Sequence, residues 1–242
     1  MIKLNKKSKK LILLQRNELL SQRQKILRKR FGRFLFTNFF VHFFQNQKLD
    51  ESVQNLFEKE YDIIKNFLPS NVSNILDIGC GLGILNIFLN RKYNSKAKFF
   101  LIDKNKIDLK IKYGFSENYE SYNNLNETKK ILLANNIINE QIFLKNAEEN
   151  IDIGEKIDLV ISLKSMAFHY PLENYLNLLK RVCTKNTEFI FDISTERYQI
   201  NNLAKYFENI DVIYEEDSQH PLKRIHCKKF LPGPIKNAKQ NR

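Results

Sequence analysis

The stretch from residue 74 to residue 89 constrains the fold of this chain more than any other. It opens with a short apolar run, Asn74 to Ile78, passes through three closely spaced glycines, and continues as a run with helical character. Glycines permit a positive φ and let a ligand approach the main chain, which side chains would block. A strand, tight turn and helix of this kind is typical of an α/β nucleotide-binding unit, so we predict a ligand crevice at the turn. Asp77, at the end of the strand, directs a carboxylate toward it.

The spacing of the glycines indicates which ligand to expect. A dinucleotide-binding turn needs a glycine at position 84, where this chain has Ile84, so a dinucleotide is disfavoured. The pattern Asp77-x-Gly79-x-Gly81-x-Gly83 instead resembles the first motif of class I S-adenosylmethionine-dependent methyltransferases. Further matches follow in the expected order over roughly residues 68 to 230. The resemblance implies a Rossmann-like, doubly wound α/β sheet of seven strands, mostly parallel with an antiparallel C-terminal hairpin, preceded by a helical N-terminal extension.

The resemblance also implies S-adenosylmethionine as the cofactor. Gly79, Gly81 and Gly83 would lie along its amino-acid and ribose portions, and Asp77 would act through a water or backbone network near the methionine amine. Asp103, at the tip of the second predicted strand, would hold the ribose hydroxyls, because a carboxylate can accept both hydrogen bonds. A turn-capping role is the alternative for Asp103.

The loop after the third predicted strand would flank the adenine through Asn146, Ala147 and Glu148. The family usually places an aspartate, or another side chain that accepts a bond from the adenine amino group, in this loop. The amide oxygen of Asn146 can still accept such a bond, so the departure weakens the match without breaking it.

Residues 164–171 follow the fourth predicted strand and would face the transferred methyl group. They lack the Asn/Asp-Pro-Pro-Tyr motif of many amine-methylating relatives, and Cys183 lies too far along to serve as a thiolate nucleophile. His169 is a candidate general base for a hydroxyl acceptor. It could equally bind substrate as a hydrogen-bonding or wall residue, or cap the chain beside Pro171. Tyr170 is a second candidate, as a donor or a stacking wall.

The formal net charge of +13 is unevenly distributed. Residues 1–33 hold twelve Lys or Arg and one acid, Glu18, so they carry +11 and leave +2 for the rest. This basic arm could contact RNA phosphates, attach to an anionic membrane face, or be a solvated helix packed on its own domain. We predict disorder over residues 1–10 and a helix with a narrow apolar stripe over residues 11–35.

Length and composition predict one substantial core, since the chain has 242 residues of which 43% are hydrophobic. We divide it into a basic helical extension (1–67), a methyltransferase domain (68–231) and a basic tail (232–242). Three cysteines without framework spacing favour a reducing cytoplasm. The apolar run before Arg16 is too short for a secretory core or a membrane span. The oligomeric state stays open.

Further local predictions follow from periodicity and turn residues. The phenylalanine-rich segment 31–44 is expected to be core, with His42 buried inside it. Residues 104–124 form either a lid or substrate wall or a short extra helix. Asp192 and His220 are interpreted as turn residues. Helices are predicted over 50–67, 84–92, 126–136 with Asn126 as its cap, 172–183 and about 198–207, and strands over 97–102, 141–144, 157–163, 188–193, 211–214 and 222–230.

Three functions fit these features. The leading hypothesis is an S-adenosylmethionine-dependent O-methyltransferase acting on a small-molecule or sugar hydroxyl. The second is an RNA methyltransferase that holds its substrate with the basic arm. The third is a cofactor-binding interaction module without catalysis.

Overall fold

A computed structural model describes residues 1–43, 46–108, 122–217 and 221–233. The helices of this part of the chain are α1 (Lys6–Gln15), α2 (Gln22–Phe31), α3 (Arg33–Phe43), α4 (Asn46–Ile64), α5 (Ile84–Lys92), α6 (Leu125–Ala134) and α7 (Leu176–Val182). The strands are β1 (Asn74–Ile78), β2 (Lys98–Asp103), β3 (Ile142–Asn146), β4 (Ile157–Ser162), β5 (Cys183–Ser194), β6 (Phe207–Glu216) and β7 (Leu222–Phe230). Short 3₁₀ turns occupy Asn17–Leu19, Lys65–Phe67, Asn139–Gln141, Leu172–Tyr175 and Ile200–Leu203.

The seven strands form one sheet in the order β3-β2-β1-β4-β5-β7-β6. Strands β1 to β5 pair in parallel, whereas β7 is antiparallel to both β5 and β6. The predicted fold class is therefore confirmed. The strand order reverses between β1 and β4, and ligands of open α/β sheets bind outside the carboxyl ends of the strands at such a switch point. The glycine turn after β1 lies at this place.

Apolar side chains cover both faces of the sheet. One face packs against α7, while the other packs against the N-terminal helices and α5. Ile12 and Leu13 of α1 belong to the same core cluster as Ile75 of β1 and Leu159 of β4. The N-terminal helices thus complete the core on one face, and the division at residue 67 stays a prediction about chain organisation.

The prediction of a disordered N-terminus is wrong. The Ile2 N–H donates to Gln54 Oε1 at 3.0 Å, the Lys3 N–H donates to Asn135 Oδ1 at 2.9 Å, and α1 begins at Lys6. These are contacts with distant residues, so the Lys- and Asn-rich composition of the segment gave no sign of them.

The single helix predicted over residues 11–35 is also wrong. The chain leaves helical geometry at Arg16, whose φ is −120° and ψ 98°, and again at Gly32, whose φ is +83°. The predicted stripe is only partly buried, because Ile12 and Leu13 are core residues whereas Ile26 and Leu27 are exposed.

The phenylalanine-rich segment divides between core and surface. Phe36 and Phe40 are buried, but Phe31 and Phe39 are more than half exposed. His42, predicted to be buried, lies on the surface with its Nδ1 3.0 Å from Lys6 Nζ. A helix of this density has more aromatic residues than its buried face can hold, so some must face outward.

Two local predictions in the C-terminal two thirds of the chain need correction. The side chain that caps α6 is Asn124, not Asn126, because Asn124 Oδ1 accepts the Glu127 N–H at 3.1 Å. The helix predicted near residues 198–207 is only a 3₁₀ turn before β6. Residues 109–121, His220 and residues 234–242, which carry other predictions, lie outside the described residues.

Candidate active site

The glycine turn between β1 and α5 requires glycine at each predicted position. Gly79, Gly81 and Gly83 have φ values of +77°, +54° and +69°. A Cβ placed on Gly79 would lie 2.2 Å from both Cβ and Oγ of Ser165, so the loop after β4 packs directly on the turn. The turn and the predicted acceptor loop therefore share one crevice at the carboxyl edge of the sheet.

Asp77 is the penultimate residue of β1, next to the glycine turn, and is only 3% exposed. Its Oδ2 accepts a hydrogen bond from Asn86 Nδ2 of α5 at 2.6 Å. Burial raises the pKa of Asp77 to about 7, because desolvation disfavours the charged form, and the nearby Asp103 adds to the effect.

Asp103 ends β2 and faces the same turn. Its Oδ2 accepts the Gly81 N–H at 2.6 Å, and its Oδ1 accepts the Lys104 N–H at 2.7 Å. Burial raises the pKa of Asp103 to about 6 despite these hydrogen bonds. Among the described residues, neither Asp77 nor Asp103 forms an ion pair, so the crevice carries acidic groups without a direct counter-charge.

The predicted adenine loop lies beside Asp103. Asp103 pairs with Asn146 in the parallel register of β2 and β3, and the Ala147 N–H donates to the Asp103 carbonyl at 2.9 Å. Asn146 Oδ1 accepts the backbone N–H groups of Asn105 and Glu148, each at 3.3 Å. The amide oxygen predicted to contact the adenine therefore also accepts hydrogen bonds from the backbone of its own loop and of the loop after β2. The Glu148 side chain is exposed.

The predicted acceptor loop is held in a constrained conformation. Lys164 and Ala167 take the left-handed region with φ values of +60° and +62°, which is uncommon for residues other than glycine. His169 is exposed, and its ring packs edge-on against Phe168 with ring centroids 4.8 Å apart. Lys104 Nζ lies 5.1 Å from the centre of the Tyr170 ring, which joins the end of β2 to this loop.

The residue that reasoning from the sequence missed most clearly is Gln15, at the end of α1. Its Oε1 lies 3.0 Å from where a Cβ of Gly81 would be, and its Nε2 donates to the Tyr122 carbonyl at 2.8 Å. The N-terminal extension therefore covers the glycine turn. No local pattern marks Gln15, since its partners are far away in the chain.

A second feature that the sequence did not reveal is a charged network behind the acceptor loop. Arg224 of β7, only 1% exposed, binds Asp192 of β5 at 2.7 Å and Glu60 of α4 at 2.6 Å. Burial opposes the positive charge of Arg224, but the two carboxylates outweigh it and raise its pKa. Asp192 is thus a buried ion-pair residue, and its interpretation as a turn residue is wrong.

The same network reaches the N-terminal extension. Lys164 Nζ lies 2.7 Å from Glu18 Oε1, and the Lys164 N–H donates to Asp192 Oδ2 at 3.1 Å. Burial disfavours the Glu18 carboxylate, but Arg16 and Lys164 outweigh it and lower its pKa to about 2. An ion pair therefore connects the arm to the acceptor loop, and a hydrogen bond connects that loop to the sheet.

Comparison with solved structures assigns the fold. Residues 961–1257 of a protein named StiE O-MT match with a TM-score of 0.50 at 13% identity, over 77% of this chain and 79% of that one. The fold is that of the class I methyltransferases.

Two other chains with the methyltransferase fold match less well. The first is a precorrin-6y C5,15-methyltransferase from Geobacter metallireducens GS-15, with a TM-score of 0.48 at 15% identity, covering 71% of this chain and 88% of that one.

The second is a ribosomal protein L11 methylase from Lactobacillus delbrueckii subsp. bulgaricus, with a TM-score of 0.43 at 16% identity over 69% of this chain and 75% of that one. No protein-family model matches the sequence, and comparison with curated proteins finds no match. At these identities the likeness concerns the methyltransferase fold alone. The acceptor has to be argued from the site, because one fold hosts many functions.

Proposed function

We propose that this protein is an S-adenosylmethionine-dependent methyltransferase that methylates a hydroxyl group of a small molecule or sugar. The observation that carries the cofactor assignment is a pair of carboxylates, the buried Asp77 and the partly buried Asp103, beside a turn of three glycines with positive φ. When bound, S-adenosylmethionine supplies an electrophilic methyl group on a cationic sulfonium. Its positive charges suit a crevice whose acids have no ion-pair partner among the described residues.

The residues present fit this cofactor in chemical type. Gly79, Gly81 and Gly83 leave the main chain accessible, and a carboxylate at the end of β2 can accept hydrogen bonds from a ribose. We propose that Asp103 holds the ribose hydroxyls and that Asp77 acts near the methionine amine.

The adenine end of the site is the loop after β3. We propose that Asn146, Ala147 and Glu148 flank the base there. Asn146 keeps an amide oxygen at the carboxyl end of its strand, which is where this fold places a nucleoside.

The acceptor assignment rests on the loop after β4. His169 lies exposed on that loop, and the next residue, Tyr170, is partly buried. An imidazole can accept the proton that a hydroxyl releases as its oxygen is methylated, whereas an amine that binds neutral needs no base. We propose His169 as that base and Tyr170 as a wall or donor.

The chain's thiols do not support covalent thiolate catalysis. Burial raises the pKa of Cys183 to about 12, and it also raises the pKa of Cys80 and Cys227.

Calorimetric titration of S-adenosylmethionine into the full chain tests the cofactor assignment. We expect binding by the wild type that is weakened roughly tenfold to a hundredfold in Asp103→Asn, because hydrogen bonds to a charged group are lost. Asp152→Asn, at an exposed carboxylate away from the glycine turn, is the matched control and should bind like the wild type. Absence of binding by the wild type, or equal affinity in Asp103→Asn, would overturn the proposal.

A separate measurement tests His169. Once hydroxylated acceptors have been screened, His169→Asn should lower kcat about a hundredfold or more and remove the acidic limb of the pH profile of kcat. Its affinity for S-adenosylmethionine should not change. A kcat within threefold of the wild type would show that His169 is not the base and would leave the cofactor assignment standing.

A further inference from the structure

The surface of α2 and α3 exposes an unusual number of large apolar side chains. Twelve large hydrophobic residues of the described chain are exposed, and five of them lie between residues 26 and 39. Single exposed apolar residues are ordinary, but a cluster marks an interaction site. The five are Ile26 (67% exposed), Leu27 (44%), Phe31 (54%), Leu35 (64%) and Phe39 (58%). Together with the exposed cations of α2, which are Arg23, Lys25, Lys29 and Arg30, these five residues are called the α2–α3 surface.

Helix α2 is attached to the molecule by one side only. Arg28 is its one buried residue, donating from Nη1 to the Leu13 carbonyl at 3.0 Å and from Nη2 to Asn17 Oδ1. Ser21 and Gln24 close the N-terminus of the helix with a capping box. The helix is therefore capped at its N-terminus and is held to the rest of the protein through Arg28, while its exposed side chains can face a partner.

The exposed side of α2 combines apolar and cationic side chains. At 100° per residue, Arg23, Ile26, Leu27, Arg30 and Phe31 fall on one face of the helix. Two long cationic side chains there have apolar side chains on either side. Their alkyl stems can lie along an apolar phase while their charges remain in a polar layer.

The α2–α3 surface is rich in positive charge, and few acids are close to it in the sequence. The sequence has no Asp or Glu between Glu18 and Asp50. Among the described residues, no ion pair involves Arg23, Lys25, Lys29 or Arg30. A partner for this surface must therefore offer negative charge together with a phase that accepts aliphatic side chains.

We propose that the α2–α3 surface docks this protein on an anionic lipid bilayer. Headgroup phosphates satisfy the cations, and the acyl boundary accepts Ile26, Leu27 and Leu35. RNA would meet the cations but has no apolar phase for exposed aliphatic residues, and a second copy of the chain would bring like charge to like charge. At ten residues, α2 is roughly 15 Å long, half of a hydrocarbon core. The geometry is that of a helix lying on the membrane.

The test is co-flotation of the full chain with vesicles of two compositions. We expect binding to vesicles of phosphatidylcholine with 30% phosphatidylglycerol, and none to pure phosphatidylcholine. The charge variant Arg23→Gln/Arg30→Gln should weaken this binding roughly 25-fold, at about fivefold for each cation. The apolar variant Ile26→Ser/Phe31→Ser should weaken it at least about tenfold.

Matched controls lie elsewhere on the surface. Lys92→Gln/Lys96→Gln removes two exposed cations, and Ile138→Ser removes an apolar side chain that is 57% exposed. Both should bind vesicles like the wild type. All variants should keep the wild-type melting temperature and the wild-type affinity for S-adenosylmethionine, so failure here is distinct from failure of the proposed function.

Fluorescence anisotropy with a labelled single-stranded RNA and a labelled RNA duplex completes the test. Failure to bind anionic vesicles would overturn the proposal. So would vesicle binding that the apolar variant retains in full, because the attachment would then be purely electrostatic. RNA binding tighter than vesicle binding, and lost in the charge variant, would assign the α2–α3 surface to RNA instead.

Discussion

At the residue scale, the site depends on acids that the fold keeps away from water. Asp77 is hydrogen-bonded to Asn86 but has no ion-pair partner among the described residues, so desolvation decides its pKa. Ionising such a group costs free energy, and a cation bound close to it would lower that cost.

The pH dependence of stability checks this account. The folded pKa of Asp77, about 7, is above its ordinary value of 3.8, so between these pH values the folded state holds a proton that the unfolded state has released. The wild type should therefore lose stability relative to Asp77→Asn by about 1.4 kcal/mol per pH unit as pH rises from 4 to 7. Urea unfolding at each pH measures it. If the free energies of unfolding of the wild type and Asp77→Asn changed in parallel with pH, the prediction would be contradicted. The control Asp152→Asn should show the same pH dependence as the wild type.

Gly79 is the position where the turn tolerates substitution least. A side chain there meets Ser165 at 2.2 Å and must take a φ of +77°. Gly79→Ala should cost about 3 kcal/mol in the free energy of unfolding and abolish binding of S-adenosylmethionine.

The matched control for Gly79 is Gly154→Ala, where nothing lies within 4 Å of the added Cβ. The double variant Gly79→Ala/Ser165→Gly should recover the part of the loss that comes from the contact but not the part that comes from φ. An unfolding free energy of Gly79→Ala equal to that of Gly154→Ala would show that the contact is not rigid.

At the element scale, Arg224 connects β7 to β5 and α4 through buried ion pairs with Asp192 and Glu60. Replacing it with Met leaves Asp192 and Glu60 buried without their cation, which typically costs 3–5 kcal/mol. Lys228→Met, on the same strand, breaks a partly exposed pair with Glu188 and should cost less than about 1 kcal/mol. Thermal and urea unfolding of both variants measures the difference. Equal stability would mean that β7 is held by its apolar residues alone.

Much of this element arrangement could be predicted because it depends on neighbours in sequence. The glycine turn, α5 and β7 were located within a residue, since their patterns are short-range. The ion pairs of Arg224 could not be predicted, because a lone arginine in a strand carries no sign of its partners. Asp192 looks like a turn residue until β7 is placed beside β5.

At the scale of the whole molecule, the N-terminal extension belongs to the packing of the domain. Leu13 is fully buried in the cluster that also holds Ile75 and Leu159. Leu13→Ala should therefore lower the free energy of unfolding by about 2–5 kcal/mol in one cooperative transition. Leu133→Ala, at a leucine that is 42% exposed, should change it by less than about 0.5 kcal/mol. A separate early transition in Leu13→Ala would show that the extension unfolds on its own.

No helix of the described residues is long and apolar enough to cross a membrane. The proposed attachment through the α2–α3 surface is therefore peripheral. Gln15 lies between the two regions in the chain, because it ends α1, the helix that precedes α2, and touches the glycine turn.

The sequence by itself determined the glycine turn and placed Asp77 and Asp103 near strand ends, because strand periodicity and glycine spacing act over a few residues. The doubly wound sheet was predicted through the resemblance of that turn and the later motifs to class I methyltransferases. Only the tertiary structure decided that Gln15 covers the turn, that Arg224 joins Asp192 to Glu60, and that Ile26 and Phe31 face outward. Gln15 and its hydrogen-bond partner Tyr122 are 107 residues apart. Contacts of that range depend on how whole elements pack, and no local pattern encodes them.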